Sequence, residues 1–464
     1  MKNTPRFSRT PPPVTPSTNP VAIRYRTVWR WHFYAGVFCI PFLILLCTTG
    51  TLYLFKPQVE AWLDSDVNYL RYNQPPSAAS LQVRTAVERH GGSFHLWELP
   101  PDESGASRIH LRHADRTELI YLHPAELQTL KQVNIENQFM NVVKRIHGEL
   151  YLGDSGSIMV ELAACWTLIL LLTGIYLWWP RNTSGLAGVL YPRWWLGKRG
   201  LLRDLHAVTG IWISLLAMIL ILTGLPWAYA WGNYFRWLRT HTGTAVARQD
   251  WQAGSRASPE HADHQESKPT LTGTWQAEWD AIDRLVPLAR RLSLAPPVQI
   301  QPPSAPGQPW TIRSQSQNRT LRSTYTIDSQ RLAILKEERF RDRHWLDRLV
   351  GTGIALHEGQ LFGLANQGLG VIATGGLMLL AVSGSWMWWR RRPAHSLGAP
   401  TIAVPPSRSW LLAGGLLGLG ILMPAFGLSV IMVAIVEQAL RAWAPCLANW
   451  LGLRGSDQAE QASP

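Results

Sequence analysis

The stretch LHAVTGIWISLLAMILILTG, Leu205 to Gly224, shares its frame with WHFYAGVFCIPFLILLCTTG, Trp31 to Gly50. Each puts a histidine second (His32, His206), a glycine four residues later (Gly36, Gly210) and a Thr-Gly pair at its end, so Gly50 and Gly224 each follow their histidine by eighteen residues. A second frame repeats elsewhere. Ile146-His147 and Leu356-His357 are each followed by a glycine six positions after the histidine (Gly153, Gly363). They stand twenty-seven residues before Gly174 of Thr173-Gly174 and Gly384 of Ser383-Gly384. Two spacings, each kept in two copies, mark a duplicated unit. One histidine stands near the head of each of four apolar segments.

The mean hydropathy of −0.04 would suit a soluble protein, but it averages over strong segregation. Runs near 33–55, 157–179, 206–230, 366–389 and 410–436 are each long enough to cross a hydrocarbon core of roughly 30 Å. Their acids, Glu161 and Glu437, sit near the edges. The chain has 24 tryptophans, and the pairs Trp178-Trp179, Trp194-Trp195 and Trp388-Trp389 fall where an interfacial aromatic belt would lie. The expectation is a polytopic α-helical membrane protein.

Basic residues give the orientation. Residues 1–31 carry Lys2, Arg6, Arg9, Arg24, Arg26 and Arg30 without an acid. Loop 180–205 has five basic residues against Asp204, and loop 390–409 opens Arg390-Arg391-Arg392. These segments belong on the cytoplasmic side and leave 56–156 and 231–365 outside. The net charge of +13 then follows largely from basic loops and requires no nucleic acid. The start (Pro11 to Pro13, Pro16, Pro20) reads as a disordered tail, and the first apolar run, lacking a small-x-small cleavage site, as a retained anchor. Cys39, Cys47 and Cys165 lie in spans and Cys446 in the C-terminal tail, so no disulfide framework is expected.

Each long external loop reads as one helix followed by short alternating strands. In the first, Leu81–His90 is the helix, and Phe94–Leu99, Ser107–Arg112 and Glu118–Leu122 are strands, ended by a His123-Pro124 turn. In the second, the helix is Trp275–Leu292, with strands near Val298–Gln301, Trp310–Ser314, Arg319–Ile327 and Leu332–Leu335. Residues 241–274 read as a flexible linker. The expectation is two small α+β modules, each with its own sheet. His95, His110, His113 and His123 are scattered along polar strands and read as solvent-facing rather than metal-binding.

Span direction sets the depth of the four repeated histidines. The first and third helices run outward, so His32 and His206 pair at the cytoplasmic edge. The second and fourth run inward, so His147 and His357 pair at the external edge. Eighteen residues cover about 27 Å of helix, which brings Gly50 and Gly224 to the external pair and Gly174 and Gly384 to the cytoplasmic one. Two depth-matched histidine pairs in a bundle are what two bis-imidazole haems require. A helix approaches a porphyrin face where side chains vanish, a role these four glycines, Gly36 and Gly210 would share. No Cys-x-x-Cys-His occurs, so the haem would be non-covalent haem b. Arg30, Arg145 and Arg203 stand two or three residues before histidines and are candidates for its propionates. His357-Glu358 lacks a second histidine at Leu361, which excludes a zincin site, and no strand-embedded Gly-x-Gly-x-x-Gly suggests a nucleotide.

Trp31-His32 with Thr49-Gly50, Arg145-Ile146-His147-Gly148-Glu149-Leu150, Thr173-Gly174 with Trp178-Trp179-Pro180-Arg181, Leu205-His206-Ala207-Val208-Thr209-Gly210 and Leu356-His357 together resemble the PepSY-associated transmembrane family of bacterial inner-membrane proteins, which includes iron-regulated ferric-siderophore reductases. The resemblance covers residues from about 25 to 392. It implies a four-helix core binding two haems b through His32, His147, His206 and His357, PepSY-like modules in the periplasm, and electron delivery to ferric siderophores.

The expected organisation has a cytoplasmic basic tail (1–31), a first span (32–55), a periplasmic module (56–146), a second span with its preceding histidine motif (147–179) and a cytoplasmic loop (180–205). A third span (206–231), a second module (232–356), a fourth span with its histidine motif (357–389) and a second loop (390–409) follow. An extra span (410–437) and a C-terminal tail (438–464) complete it. The expected function is oxidoreductase: electrons from an unidentified cytoplasmic or quinol donor cross the inner membrane to a ferric siderophore or another periplasmic acceptor. Two rivals are a non-enzymatic PepSY anchor or sensor that binds a periplasmic partner, and a quinol-linked cytochrome b serving another periplasmic enzyme. A transporter is disfavoured because the spans lack buried charges. Tyr151 and Phe362 are candidates for shaping the acceptor's docking surface.

Overall fold

The computed structural model describes residues 20–181, 185–244, 279–305, 307–400 and 410–453. Most of the Pro-rich tail, residues 245–274 of the expected linker and the first residues of the helix expected from Trp275 lie outside the described residues. The chain forms two compact units, one from residues 1–40, 169–211 and 382–464, the other from 41–168 and 212–381.

The helices in chain order are α1 (Pro20–Leu54), α2 (Lys56–Leu63), α3 (Ser65–Asn68), α4 (Ala79–His90), α5 (Phe139–Glu149), α6 (Asp154–Trp178) and α7 (Gly197–Gly224). They continue with α8 (Tyr229–His241), α9 (Ile282–Arg291), α10 (Trp345–His357), α11 (Leu364–Arg391), α12 (Trp410–Leu422), α13 (Pro424–Trp443) and α14 (Pro445–Trp450). Among the described residues, five helical segments are long and apolar enough to cross a membrane: Ile23–Leu54, Asp154–Trp178, Gly197–Trp227, Leu364–Arg391 and Pro424–Trp443. The molecule is a polytopic membrane protein. Glu161, within α6, accepts the backbone N–H groups of Ala230 (2.8 Å) and Trp231 (3.1 Å) in the first turn of α8. A carboxylate is tolerated there because it meets unpaired donors at a helix start.

Two expectations on the helices are corrected. His147 and His357 do not head the membrane helices. They end separate helices, α5 and α10, and left-handed turns at Leu150, Tyr151 and Gly153, and at Gly359 and Gly363, break the chain before α6 and α11. In α5 the buried Met140 and Val143 share a face with His147 by helical spacing, and in α10 Ile354 shares one with His357. The extra span expected over 410–437 is broken at Met423-Pro424, because proline has no N–H to continue α12 and its ring disfavours a helical residue before it. Met423 is accordingly near-extended (φ −130°, ψ 81°). The candidate span is α13, and α12, at 13 residues, packs against it. A Cβ on Gly427 would lie 2.9 Å from the Gly420 Cα, so the two helices touch backbone to backbone there.

The two modules expected between the spans are likewise not separate sheets. Strands β1 (Ser93–Glu98), β2 (Ser107–Arg112), β3 (Thr117–Leu122), β4 (Thr129–Asn134), β5 (Val298–Gln301), β6 (Trp310–Ser314), β7 (Ser323–Asp328) and β8 (Ala333–Arg339) form one antiparallel sheet, ordered β4-β3-β2-β1-β5-β6-β7-β8. β1 and β5 join its halves through Trp97 opposite Ile300 and Glu98 opposite Gln299. The physical reason is economy of edges: two four-stranded sheets would each expose an inner edge, and pairing β1 with β5 satisfies both.

Strand alternation divides the sheet's faces. Trp97, Ile109, Ile120, Ile300 and Ile312 pack with α4 and α9 into one core, and Asp283 of α9 accepts the Ser80 N–H (2.8 Å) and hydroxyl (2.6 Å) at the start of α4. The alternate residues, among them Glu98, Arg108, His110 and Tyr121, face away from that core. The buried guanidinium of Arg239 in α8 holds Asp347 in the first turn of α10 at 2.6 and 3.1 Å, fixing the helix that carries His357. Arg239→Leu should destabilise the fold by about 3–5 kcal/mol, because it strands a shielded carboxylate. Adding Asp347→Leu should restore most of the loss, and thermal melting of the single and double variants checks it.

Candidate histidine-pair site

The structure brings the four repeated histidines into two pairs. In one unit the His32 and His206 ring centroids are 6.5 Å apart at an interplanar angle of 85°. In the other, His147 and His357 are 6.4 Å apart at 65°.

Each histidine is held by the small-residue pair of a different helix. His32 Nδ1 lies 2.9 Å from Thr173 Oγ1, His206 Nδ1 2.9 Å from Ser383 Oγ, His147 Nδ1 3.0 Å from Thr49 Oγ1, and His357 Nδ1 3.3 Å from Thr223 Oγ1. The proton on these bonds can be assigned by chemistry. Thr49, Thr173 and Thr223 already donate their hydroxyl hydrogens to the carbonyls four residues back, Leu45 (2.8 Å), Ile169 (2.7 Å) and Ile219 (2.7 Å). Their oxygens therefore accept, and the imidazole Nδ1 donates. His357 Nδ1 also meets the Leu220 carbonyl at 2.8 Å, which can only accept. With Nδ1 protonated, Nε2 keeps its lone pair for a metal.

The neighbouring glycines explain their own spacing. A Cβ on Gly50 would lie 3.0 Å from Cε1 of His147 and one on Gly224 3.0 Å from Cε1 of His357; for Gly174 against His32 and Gly384 against His206 the distance is 3.4 Å. These four glycines make room for the imidazole edges themselves, where the sequence suggested room for a porphyrin face. Gly36 faces Leu170, with a Cβ distance of 3.9 Å. Gly210 lies in α7, one turn beyond His206. Sequence reading singled out the glycines and passed over the adjacent hydroxyls, although Thr or Ser precedes each of the four.

In α5, outside the apolar spans, burial together with repulsion from His357 pulls the His147 imidazole down to about 4. Burial also lowers His357 in α10, against the opposing pull of the Leu220 carbonyl. Both rings are thus held in the neutral form that ligates metals.

His147 and His357 open onto a chamber of about 1110 Å³. One end is apolar, with Phe42, Leu46, Val160 and Ile221. The other carries Glu98, Arg108, His110, Tyr121 and Lys131 from the sheet, and Arg145, Arg319 and Arg322 also line it. Arg145 ion-pairs with Glu149 at 3.1 Å and lies over the Tyr151 ring. Arg30 donates instead to the carbonyls of Pro400 (2.6 Å) and Gly452 (2.8 Å), and Arg203 pairs with Asp204 at 3.2 Å. Tyr151 and Phe362 are exposed. Of the histidines on and beside the strands, His95 and His110 are buried rather than solvent-facing, and so is His123, whose Nδ1 accepts the Glu126 N–H at 3.0 Å. His113 lies 3.2 Å from Glu118.

Removing a hydroxyl should loosen the ring it orients. If each pair holds a haem, Thr173→Val and Thr223→Val are each expected to weaken its retention about ten- to hundredfold, as loss of such supporting partners does at metal sites. Titration of haem into apoprotein measures it, and unchanged affinity in both variants would show that the hydroxyls do not orient the ligands.

No curated protein matches this chain. A family model described as the PepSY-associated TM region matches residues 29–391, a segment that contains all four histidines and both halves of the sheet, and the chain belongs to that family.

Proposed function

We propose that the protein is a di-haem oxidoreductase of the bacterial inner membrane, with its N-terminus in the cytoplasm. It would pass electrons from a cytoplasmic or quinol donor to a periplasmic acceptor. His32 and His206 would hold one haem b on the cytoplasmic side, and His147 and His357 the other on the periplasmic side.

The observation that carries this reading is the separation within each pair. Two imidazoles facing each other across one metal, each bonded at about 2 Å and each with about 1.2 Å from nitrogen to ring centre, have centroids about 6.4 Å apart. The observed values are 6.5 and 6.4 Å. The donor set fits as well: a neutral imidazole Nε2 is a low-spin haem ligand, and the Nδ1 protons of His32, His147 and His357 are committed to hydroxyls. The chamber beside the second pair supplies apolar walls with guanidinium groups nearby, as an amphipathic macrocycle with two carboxylates requires.

When bound, the haems supply one-electron transfer. The chain's own residues fix ligand identity, ring orientation and burial, which are the levers on potential. The leading acceptor is ferric iron in a siderophore. Reduction to the ferrous ion weakens its hold on hard oxygen ligands and releases it.

A reduced-minus-oxidised optical spectrum of purified protein, with haem counted per chain, tests the reading. Two b-type haems are expected, and one should be lost or become high-spin in His206→Ala. Addition of a ferric siderophore should reoxidise the reduced protein. Absence of haem after expression with ample haem supply would overturn the proposal.

A further inference from the structure

At the polar end of the chamber, His110 of β2 stands apart from its neighbours. It is 4% exposed, and neither ring nitrogen has a hydrogen-bond partner. The nearest charge is Glu98 of β1, whose Oε2 lies 3.6 Å from His110 Nε2. The other groups at this end are mutually satisfied. Arg108 donates to Glu98 Oε1 (2.7 Å) and to Asn68 of α3 (2.8 Å). Asp64, between α2 and α3, accepts from the Tyr121 hydroxyl of β3 (2.6 Å) and from Lys131 of β4 (2.8 Å). Glu60 of α2 and Gln299 of β5 complete the surroundings. Burial opposes the charge on Glu98, but His110 and Arg108 outweigh it and hold the carboxyl at about 2, so an anion stands beside the imidazole throughout the physiological range. An imidazole buried without a hydrogen-bond partner is costly to the fold. Its position on the wall of the chamber that His147 and His357 also line says what it is kept for.

We propose that His110, backed by Glu98, is the proton donor to an acceptor bound at the polar end of this chamber, an acceptor whose metal is held by anionic oxygen such as hydroxamate or catecholate. The inference rests on the electron-transfer reading above. With a haem held by His147 and His357 as the electron source, one electron would convert the acceptor's ferric ion to ferrous. The iron–oxygen bond breaks, the freed oxyanion takes the proton of the His110 imidazolium, and periplasmic water reprotonates the ring. One electron and one proton thus reach the acceptor together. Glu98 stabilises the imidazolium before transfer and is a positioning residue.

The test uses haem-loaded protein in detergent and ferric tris(acetohydroxamate) as the probe. In the wild type, reoxidation of the dithionite-reduced haems should slow as the pH rises. His110→Gln should be about a hundredfold slower at neutral pH, as loss of a general acid predicts, and nearly independent of pH. Glu98→Gln should slow reoxidation as well while leaving it dependent on pH. Equilibrium binding of the redox-inert gallium tris(acetohydroxamate) gives a readout free of turnover, and His110→Gln should weaken it about tenfold. The haem spectra of the variants, unchanged from wild type, establish that the fold is intact. Wild-type rates and pH profile in His110→Gln, with unaltered gallium-complex binding, would overturn the proposal. A wild type that holds haem but is not reoxidised by the ferric probe at any pH would instead overturn the acceptor reading beneath it.

Discussion

A hydroxyl on one helix holding an imidazole from another is the interaction on which the rest of the site depends. It is made four times, by Thr173, Ser383, Thr49 and Thr223. The adjacent glycine in each case lets the ring edge approach the helix closely. A side chain in place of Gly50 or Gly224 would press on the ring at 3.0 Å. The Thr-Gly or Ser-Gly pair is therefore one device: it sets the tautomer and the position of the ring together. A histidine so held loses little orientational freedom on taking a metal, which raises affinity without a new contact.

The sheet and the helices α5 and α10 serve one of these pairs, His147 and His357. α5 and α10 end at His147 and His357, and left-handed turns beyond them free those helices from the direction of the membrane spans. The Arg239–Asp347 pair and the continuous eight-stranded sheet give the helices a rigid base. The sheet spends its apolar face on α4 and α9, which leaves its charged face to form the chamber wall. Burying Glu98, Arg108 and Asp64 is costly unless each is paired, and the network of Asn68, Tyr121 and Lys131 provides that pairing.

Much of this was legible in the sequence, for reasons that can be named. The apolar runs stood out because a span needs unbroken hydropathy, and helix direction with the repeated spacings was enough to match His32 with His206 and His147 with His357. Strands such as Ser107–Arg112 showed because a two-faced sheet enforces alternation. What stayed hidden depended on distant partners. The β1–β5 pairing joins residues about two hundred positions apart and leaves no local trace. β4 is an edge strand, only partly buried, and its alternation is weak. The break at Met423 lies inside a continuous apolar run, with Pro424 as the only signal. The hydroxyl partners were visible as letters, but their role required knowing that Thr49, Thr173 and Thr223 already donate to their own helices. The sequence places His110 toward solvent because its strand is polar, and a polar strand facing a buried chamber looks the same as one facing water.

The account stands or falls on two imidazoles meeting at one iron in each pair. Low-temperature electron paramagnetic resonance of the oxidised, haem-loaded protein tests this most directly. Rings crossed at 85° and 65° predict two low-spin ferric centres with strongly anisotropic spectra, the crossed-plane signature being sharper for His32 and His206. High-spin iron at both sites, or a purified protein without haem, would contradict it.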